Sequence, residues 1–166
     1  MQSIADLLEW IAGTAPAIFV MESSWAFPLA ESIHVIAIAL VVGLIAIIDL
    51  RLLGLASSKV SLTRLIAEIL PWIWGAFVVA VLSGLVMFVS QPAGYFNNTA
   101  FRLKVLLLVM AGCNMLIFHF VTCRDVAGWG NDPSTPAAAK LAGGASLTFW
   151  VAIVVLGRQI GFTMTE

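Results

Sequence analysis

Four ionisable side chains sit inside stretches apolar enough to cross a lipid bilayer: Glu31 and His34 in the first, His119 in the third and Arg158 in the fourth. A charge at membrane depth costs several kcal/mol unless it is paired or snorkels, so such residues are functional candidates by default. Glu31 and His34 are spaced as near neighbours on one helix face. Asp49 follows Glu31 by eighteen residues, which at about 3.6 residues per turn returns it to the same angular position. Lipid satisfies none of these groups, so the stripe is expected to face the interior of a bundle. Arg158, arriving from the fourth span, is expected in the same half of the membrane as Glu31. The pattern therefore predicts a Glu31–Arg158 ion pair with His34 beside it.

The chemistry open to this set is ligand binding or proton movement. An imidazole is the best available ligand for haem iron or copper, and His34, His119 and Met87 are the candidate metal ligands. His34 and His119 fall at different depths, separated by about 18 Å along the membrane normal if spans one and three run parallel. That disfavours one haem held by both histidines of a single chain, whereas His34 with a second ligand such as Met87 stays open. Asp49, Asn114 and His119 form a candidate proton relay on the other side. Glu-x-x-His spacing also serves carboxylate-bridged metal pairs, but those need two such motifs and further acids. No nucleophile-base arrangement, phosphate-binding glycine loop or zinc motif is present, so the sequence gives no ground for an enzyme.

The elements that must position these residues follow from composition. Of 166 residues, 61% are hydrophobic and 10% charged, with a mean hydropathy of +1.06, which lies outside the range of soluble domains. A span needs about 20 helical residues for a hydrocarbon core of about 30 Å. Four runs meet this: Phe27 to Leu50, Leu65 to Val89, Phe101 to Cys123, and Ala145 to Phe162. The expected fold is all-α, an integral membrane four-helix up-and-down bundle over residues 25–166. Residues 1–24 are expected as a separate amphipathic interfacial segment, in which Ser3 caps a helix carrying Ile4, Leu7, Leu8 and Ile11 on one face. Trp10 and Trp25 would sit at the headgroups. With no Lys or Arg, three acids and Pro16, this segment does not read as a signal peptide.

Gln91-Pro92-Ala93-Gly94 ends the second run, Asn97-Asn98-Thr99 offers caps for the third, and Asn131-Asp132-Pro133 marks a linker before the fourth. Cys113 and Cys123 would lie about 15 Å apart along one helix, too far to bridge, and read as apolar packing residues. Arg51, Lys59, Arg64, Arg124 and Lys140 fall on one side of the spans, against Arg102 and Lys104 on the other. The positive-inside rule then puts both termini in the periplasm. A net charge of −1 offers no basic face for a nucleic acid.

Trp25-Ala26-Phe27-Pro28 leading into Glu31 and His34, then Asp49 to Gly54, Leu70-Pro71-Trp72, Asn98 to Lys104, Asn114, Phe118-His119 and Gly157-Arg158 together form a pattern. It resembles a family of bacterial four-helix inner-membrane proteins of unknown function, from about Trp25 to the C-terminus. More remotely the architecture is similar to membrane b-type cytochromes and copper-resistance D proteins, although the paired histidines of a two-haem cytochrome are missing. The resemblance implies a four-span bundle of the inner membrane and no assigned reaction. The sequence thus favours a site of Glu31, His34 and Arg158 binding a redox cofactor or metal, b-type haem or copper, for electron transfer or carriage. Its partners would be the lipid bilayer, a membrane or periplasmic redox protein and, in a homo-oligomer, further copies of itself. The alternatives are proton or ion translocation, and a non-catalytic structural subunit of a membrane complex.

Overall fold

A computed structural model describes residues 2–56, 61–120 and 135–164, which form helices and no strand. Two short helices come first, α1 (Gln2–Ala12) and α2 (Ala15–Glu22), followed by α3 (Ala26–Leu52) and α4 (Leu62–Ser90). A short α5 (Pro92–Asn97) leads into α6 (Thr99–Phe120), and α7 (Ala137–Thr163) closes the described chain. Among them α3, α4, α6 and α7 are the four long and apolar enough to cross a membrane.

The long helices alternate in direction. His34, near the start of α3, meets Ser83 near the end of α4. Gly143, near the start of α7, meets Asp49 and Leu52 near the end of α3, and Asn98 at the start of α6 bonds Thr163 at the end of α7. The helices pair as α3 on α4 and α6 on α7, and the two pairs join mainly through α3 and α7. An all-α up-and-down four-helix bundle with a short N-terminal helical segment is therefore the observed architecture.

Packing follows the logic of helices in lipid rather than in water. From Ala26 to Val41 the buried positions of α3 are small or β-branched, Ala26, Ala30, Ala37 and Val41, while Val35, Ile36 and Leu40 are exposed. On α4 Ala80 and Ser83 are buried between exposed Val78, Val79, Val81 and Leu82. Hydrocarbon tails solvate large apolar side chains as well as a core does, so small residues gather where backbones approach. The centre of the bundle is the cluster Val41, Ala111, Trp150 and Ile153, and a second cluster of Leu52, Leu62 and Ala139 closes the Asp49 end.

The helix ends are specified locally. α3 stops in a Schellman motif, with Leu55 N–H on the Leu50 carbonyl (2.9 Å) and Gly54 N–H on that of Arg51 (3.1 Å). Gly54 has φ +75°, a backbone that a Cβ would strain. Asn98 caps α6 by accepting from Phe101 N–H at 3.0 Å, and its amide donates to the Thr163 hydroxyl at 2.7 Å. Phe88, Tyr95 and Phe101 then form a ring cluster binding α4, α5 and α6, with centroids 5.4–6.1 Å apart.

Three boundaries differ from the sequence expectation. α1 begins at Gln2, so Ser3 lies inside its first turn instead of capping it. α1 and α2 meet at 61°, where a single interfacial helix was expected. α7 starts at Ala137 rather than Ala145, because Ala137 to Ala139 are strong helix formers directly after Pro136. Pro71 falls within α4, which continues on both sides of it. The linker expected at Asn131-Asp132-Pro133, together with Lys59, Cys123 and Arg124, lies outside the described residues.

A Cβ at Gly143 would stand 3.1 Å from Leu52 Cβ and 3.2 Å from the Asp49 carbonyl oxygen, whereas one at Gly75 meets nothing within 4 Å. Gly143→Val should destabilise the bundle by about 1–3 kcal/mol through overpacking. Gly75→Ala should be neutral or slightly stabilising. Unfolding of both variants in a mixed-detergent titration checks the contrast, and equal midpoints would contradict this α3–α7 contact.

Candidate functional site

His34 sits in the third turn of α3 on the inward stripe formed by Ala30, Ala37 and Val41. Its ring crosses to α4, where Nδ1 lies 2.8 Å from the Ala80 carbonyl oxygen and 3.1 Å from Ser83 Oγ. A carbonyl only accepts, so Nδ1 carries the proton and donates. The Ser83 hydroxyl directs its own hydrogen to the Val79 carbonyl at 2.7 Å and is left to accept from the ring. This fixes one tautomer, in which the neutral imidazole keeps its lone pair on Nε2. Nε2 has no hydrogen-bond partner among the described residues. Gly84 makes the approach feasible, since a Cβ there would stand 3.0 Å from His34 Cε1.

Lys104 comes from the second turn of α6 and is half-buried. Its ammonium lies 3.6 Å from where a Cβ on Gly157 of α7 would be, and it is close enough to the His34 ring to act on it electrostatically. No hydrogen bond or ion pair to Lys104 exists among the described residues. Nothing in the sequence reading assigned this lysine beyond the charge count of its side. Its signal was present, however: Lys104 shares a helical stripe with Leu107, Leu108 and Ala111, all packed in or against the core. Ser83-Gly84, a polar and a side-chain-free position within an apolar run, was the second missed signal.

The expected Glu31–Arg158 ion pair is not formed. Both residues are exposed, and the Arg158 guanidinium lies over the Phe162 ring, 4.7 Å from its centroid. The reason is angular. Consecutive helix residues point about 100° apart, so with Gly157 turned toward Lys104, Arg158 is swung outward and stacks on the ring one turn further on. Glu31 is likewise one residue off the inward Ala30 position. Its carboxylate instead acts on Tyr95, whose phenol is pushed above its ordinary ionisation range first by burial and then by the Glu31 charge. Glu31 and Asp49, expected on one inward stripe, also differ: the stripe is covered at the Asp49 end, where α7 packs, and open at Glu31.

Asp49 is 4% exposed, and its Oδ2 is buried without a hydrogen-bond partner among the described residues. The Ser146 hydroxyl on α7 is the group facing this carboxylate. Arg51, two residues on, is buried as well. Asn114 is half-buried and donates its amide to the Ala142 carbonyl at 3.0 Å, clamping α6 to α7, a bond worth about 0.6 kcal/mol in a membrane helix pair. Met87 lies one turn beyond Ser83 on the same face of α4 and is half-buried. His119 is placed near the end of α6, and its side chain lies outside the described residues. Fifteen residues of α6 separate it from Lys104, about 22 Å, so the two histidines stand at opposite ends of the bundle. Among the described residues no three of His, Cys, Asp and Glu gather as a metal-binding group.

Fold and polar interior together define a membrane helical bundle with a half-buried histidine and lysine toward one end and a buried carboxylate near the other. The chain belongs to a family of unknown function, DUF6644, whose model matches residues 7–163. No curated protein and no solved structure matches it.

Tyr95 is the only tyrosine of the chain, so its ionisation can be followed by ultraviolet absorbance alone. Its midpoint should lie above that of free tyrosine. Glu31→Gln removes a negative charge that opposes the phenolate and should lower the midpoint part of the way, burial remaining. A midpoint indifferent to this substitution would place Glu31 away from the ring cluster.

Proposed function

We propose that this is a multi-pass protein of the bacterial inner membrane, with both termini in the periplasm. In this reading it holds a redox cofactor inside the bundle for electron transfer or carriage. The group is b-type haem, and His34 is its iron ligand. One observation carries the reading: the His34 ring is anchored through Nδ1 on the Ala80 carbonyl at 2.8 Å while Nε2 stays unbonded among the described residues. Metal-bound imidazoles are characteristically oriented in this way, one nitrogen donating to a carbonyl and the other facing the metal. His34 would hold the iron of such a group, and Met87, one turn from Ser83 on α4, would be a candidate second ligand. Haem supplies a one-electron couple whose potential is set by its axial ligands and burial, and the electron would pass to a membrane or periplasmic partner. His34 contributes a basic, fixed nitrogen, and the small residues Ala80 and Gly84 bring the ring close to the α4 backbone. Copper fits less well, since the described residues offer it no ligand cluster.

Purified protein incubated with haem should show a Soret band, and His34→Ala should abolish it while leaving the helical circular dichroism unchanged. A preparation that stays colourless, or a band indifferent to His34, would remove haem from this site.

Proton translocation is the second reading, favoured by Asp49 Oδ2, which is buried with no hydrogen-bond partner among the described residues, and by the cost of a carboxylate at membrane depth. Against it, Asn114 already spends its amide on Ala142, and the apolar cluster Val41, Ala111, Trp150 and Ile153 lies between the two polar ends. If protons do cross, Asp49→Asn should abolish dye-reported acidification in proteoliposomes, and undiminished flux in that variant would eliminate Asp49 as a relay. The structural-subunit reading loses its clamp, because Glu31 and Arg158 do not pair.

A further inference from the structure

An open groove of about 400 Å³ runs between the start of α6 and the end of α7. Its mouth is held by one side chain: Asn98 caps α6 through Phe101 N–H at 3.0 Å and ties it to α7 through the Thr163 hydroxyl at 2.7 Å. Here α5 turns the chain from the end of α4 into α6, so for four spans the mouth lies at a membrane boundary. Because α6 and α7 run antiparallel, the lining is graded along the membrane normal. Asn97, Thr99 and Thr163 stand at the mouth, Gln159 and Leu103 about one helical turn further in, and Leu156 about two. Among the described residues this lining carries no ionised group. Asn98 and Thr163 are spent on each other, whereas the side chains of Asn97, Thr99 and Gln159 have no hydrogen-bond partner among the described residues. Gln159 is the telling one, since an amide a full turn inside a span has less water to answer it than one at the mouth.

We infer that this groove is a phospholipid site, which holds one diacyl lipid by its glycerol ester region. A lipid standing in a bilayer presents its phosphate outermost, its ester carbonyls next and its methylene chains below. The groove presents amides and hydroxyls at the mouth, one amide a turn further in and leucine beneath, which is the same order of polarity. An ester carbonyl only accepts hydrogen bonds, and the Gln159 amide has two to donate. That pairing answers a polar group to which Leu103 and Leu156 offer nothing. With no ionised side chain in the lining, the site reads the ester level of the lipid and not the charge of its headgroup. The Asn98–Thr163 tie keeps the groove formed before the lipid arrives, which lowers the ordering cost of binding. The site stands apart from the cofactor reading at His34.

Native mass spectrometry of the full-length protein in detergent tests this, with diacyl phosphatidylglycerol titrated against its dialkyl ether analogue of the same chain length. Wild type should take up one lipid saturably and bind the diester about threefold or more tightly than the diether, the scale of one neutral hydrogen bond. Gln159→Leu should bring that ratio to about one, and the ratio within each protein cancels differences in folding between variants. Diacyl phosphatidylethanolamine should bind wild type as well as the glycerol lipid does. Ala100→Trp, which places a ring in the groove, should remove the saturable lipid, whereas Val109→Trp on the exposed face of the same helix should retain it. Equal affinities for diester and diether in wild type, a diester preference that survives Gln159→Leu, or strong selection for one headgroup charge would overturn the ester contact. Uptake that never saturates, or that Ala100→Trp leaves unchanged, would mean ordinary boundary lipid and overturn the site itself.

Discussion

The bond from His34 Nδ1 to the Ala80 carbonyl is the contact on which this half of the molecule turns. Between apolar helices in lipid there is little hydrophobic drive to associate, so close packing and interhelical hydrogen bonds must supply it. The His34 bond does both, because it requires the ring to lie against a helix stripped of side chains at Gly84 and nearly so at Ala80. It also selects which ring nitrogen carries the proton in the neutral imidazole. Structure and chemistry thus share one cause, a polar donor that has nowhere to go except a neighbouring backbone.

The bundle has two polar ends and a dry middle. At the His34 end a base and a cation are half-buried; at the Asp49 end an acid and Arg51 are buried. Val41, Ala111, Trp150 and Ile153 fill the space between. Such an arrangement suits two independent sites better than one continuous path, since each polar group is satisfied or left open within its own layer. Asn114 illustrates the point: it lies toward the middle of α6, yet its amide closes onto the Ala142 backbone and stitches two helices.

Much of this was legible in the sequence because it depends on composition and local chemistry. The four spans, their alternation and the Asn98 cap follow from hydropathy and capping, which act over a few residues. His34 was also singled out correctly as an interior group. What escaped was rotation. Arg158 and Gly157 are neighbours in sequence, and only the packing of α7 decides which of the two turns inward. In helices apolar on every side, no amphipathic stripe announces that choice. The same ambiguity hid Lys104, which sequence alone reads as a flanking charge on a snorkelling stem. Glu31 and Asp49 share an angle on α3, but burial depends on where a neighbouring helix happens to cover it.

The lengths of the long helices carry a consequence for the surroundings. α3 and α7 each have 27 residues and α4 has 29, which amounts to about 40 Å or more of rod set against a hydrocarbon slab of about 30 Å. Helices this long accommodate an ordinary bilayer by leaning, by standing proud of it or by drawing the lipids thicker around them. Membrane thickness thereby becomes a variable that acts on the crossing of α3 and α4, and through that crossing on how closely an imidazole is held to a neighbouring backbone.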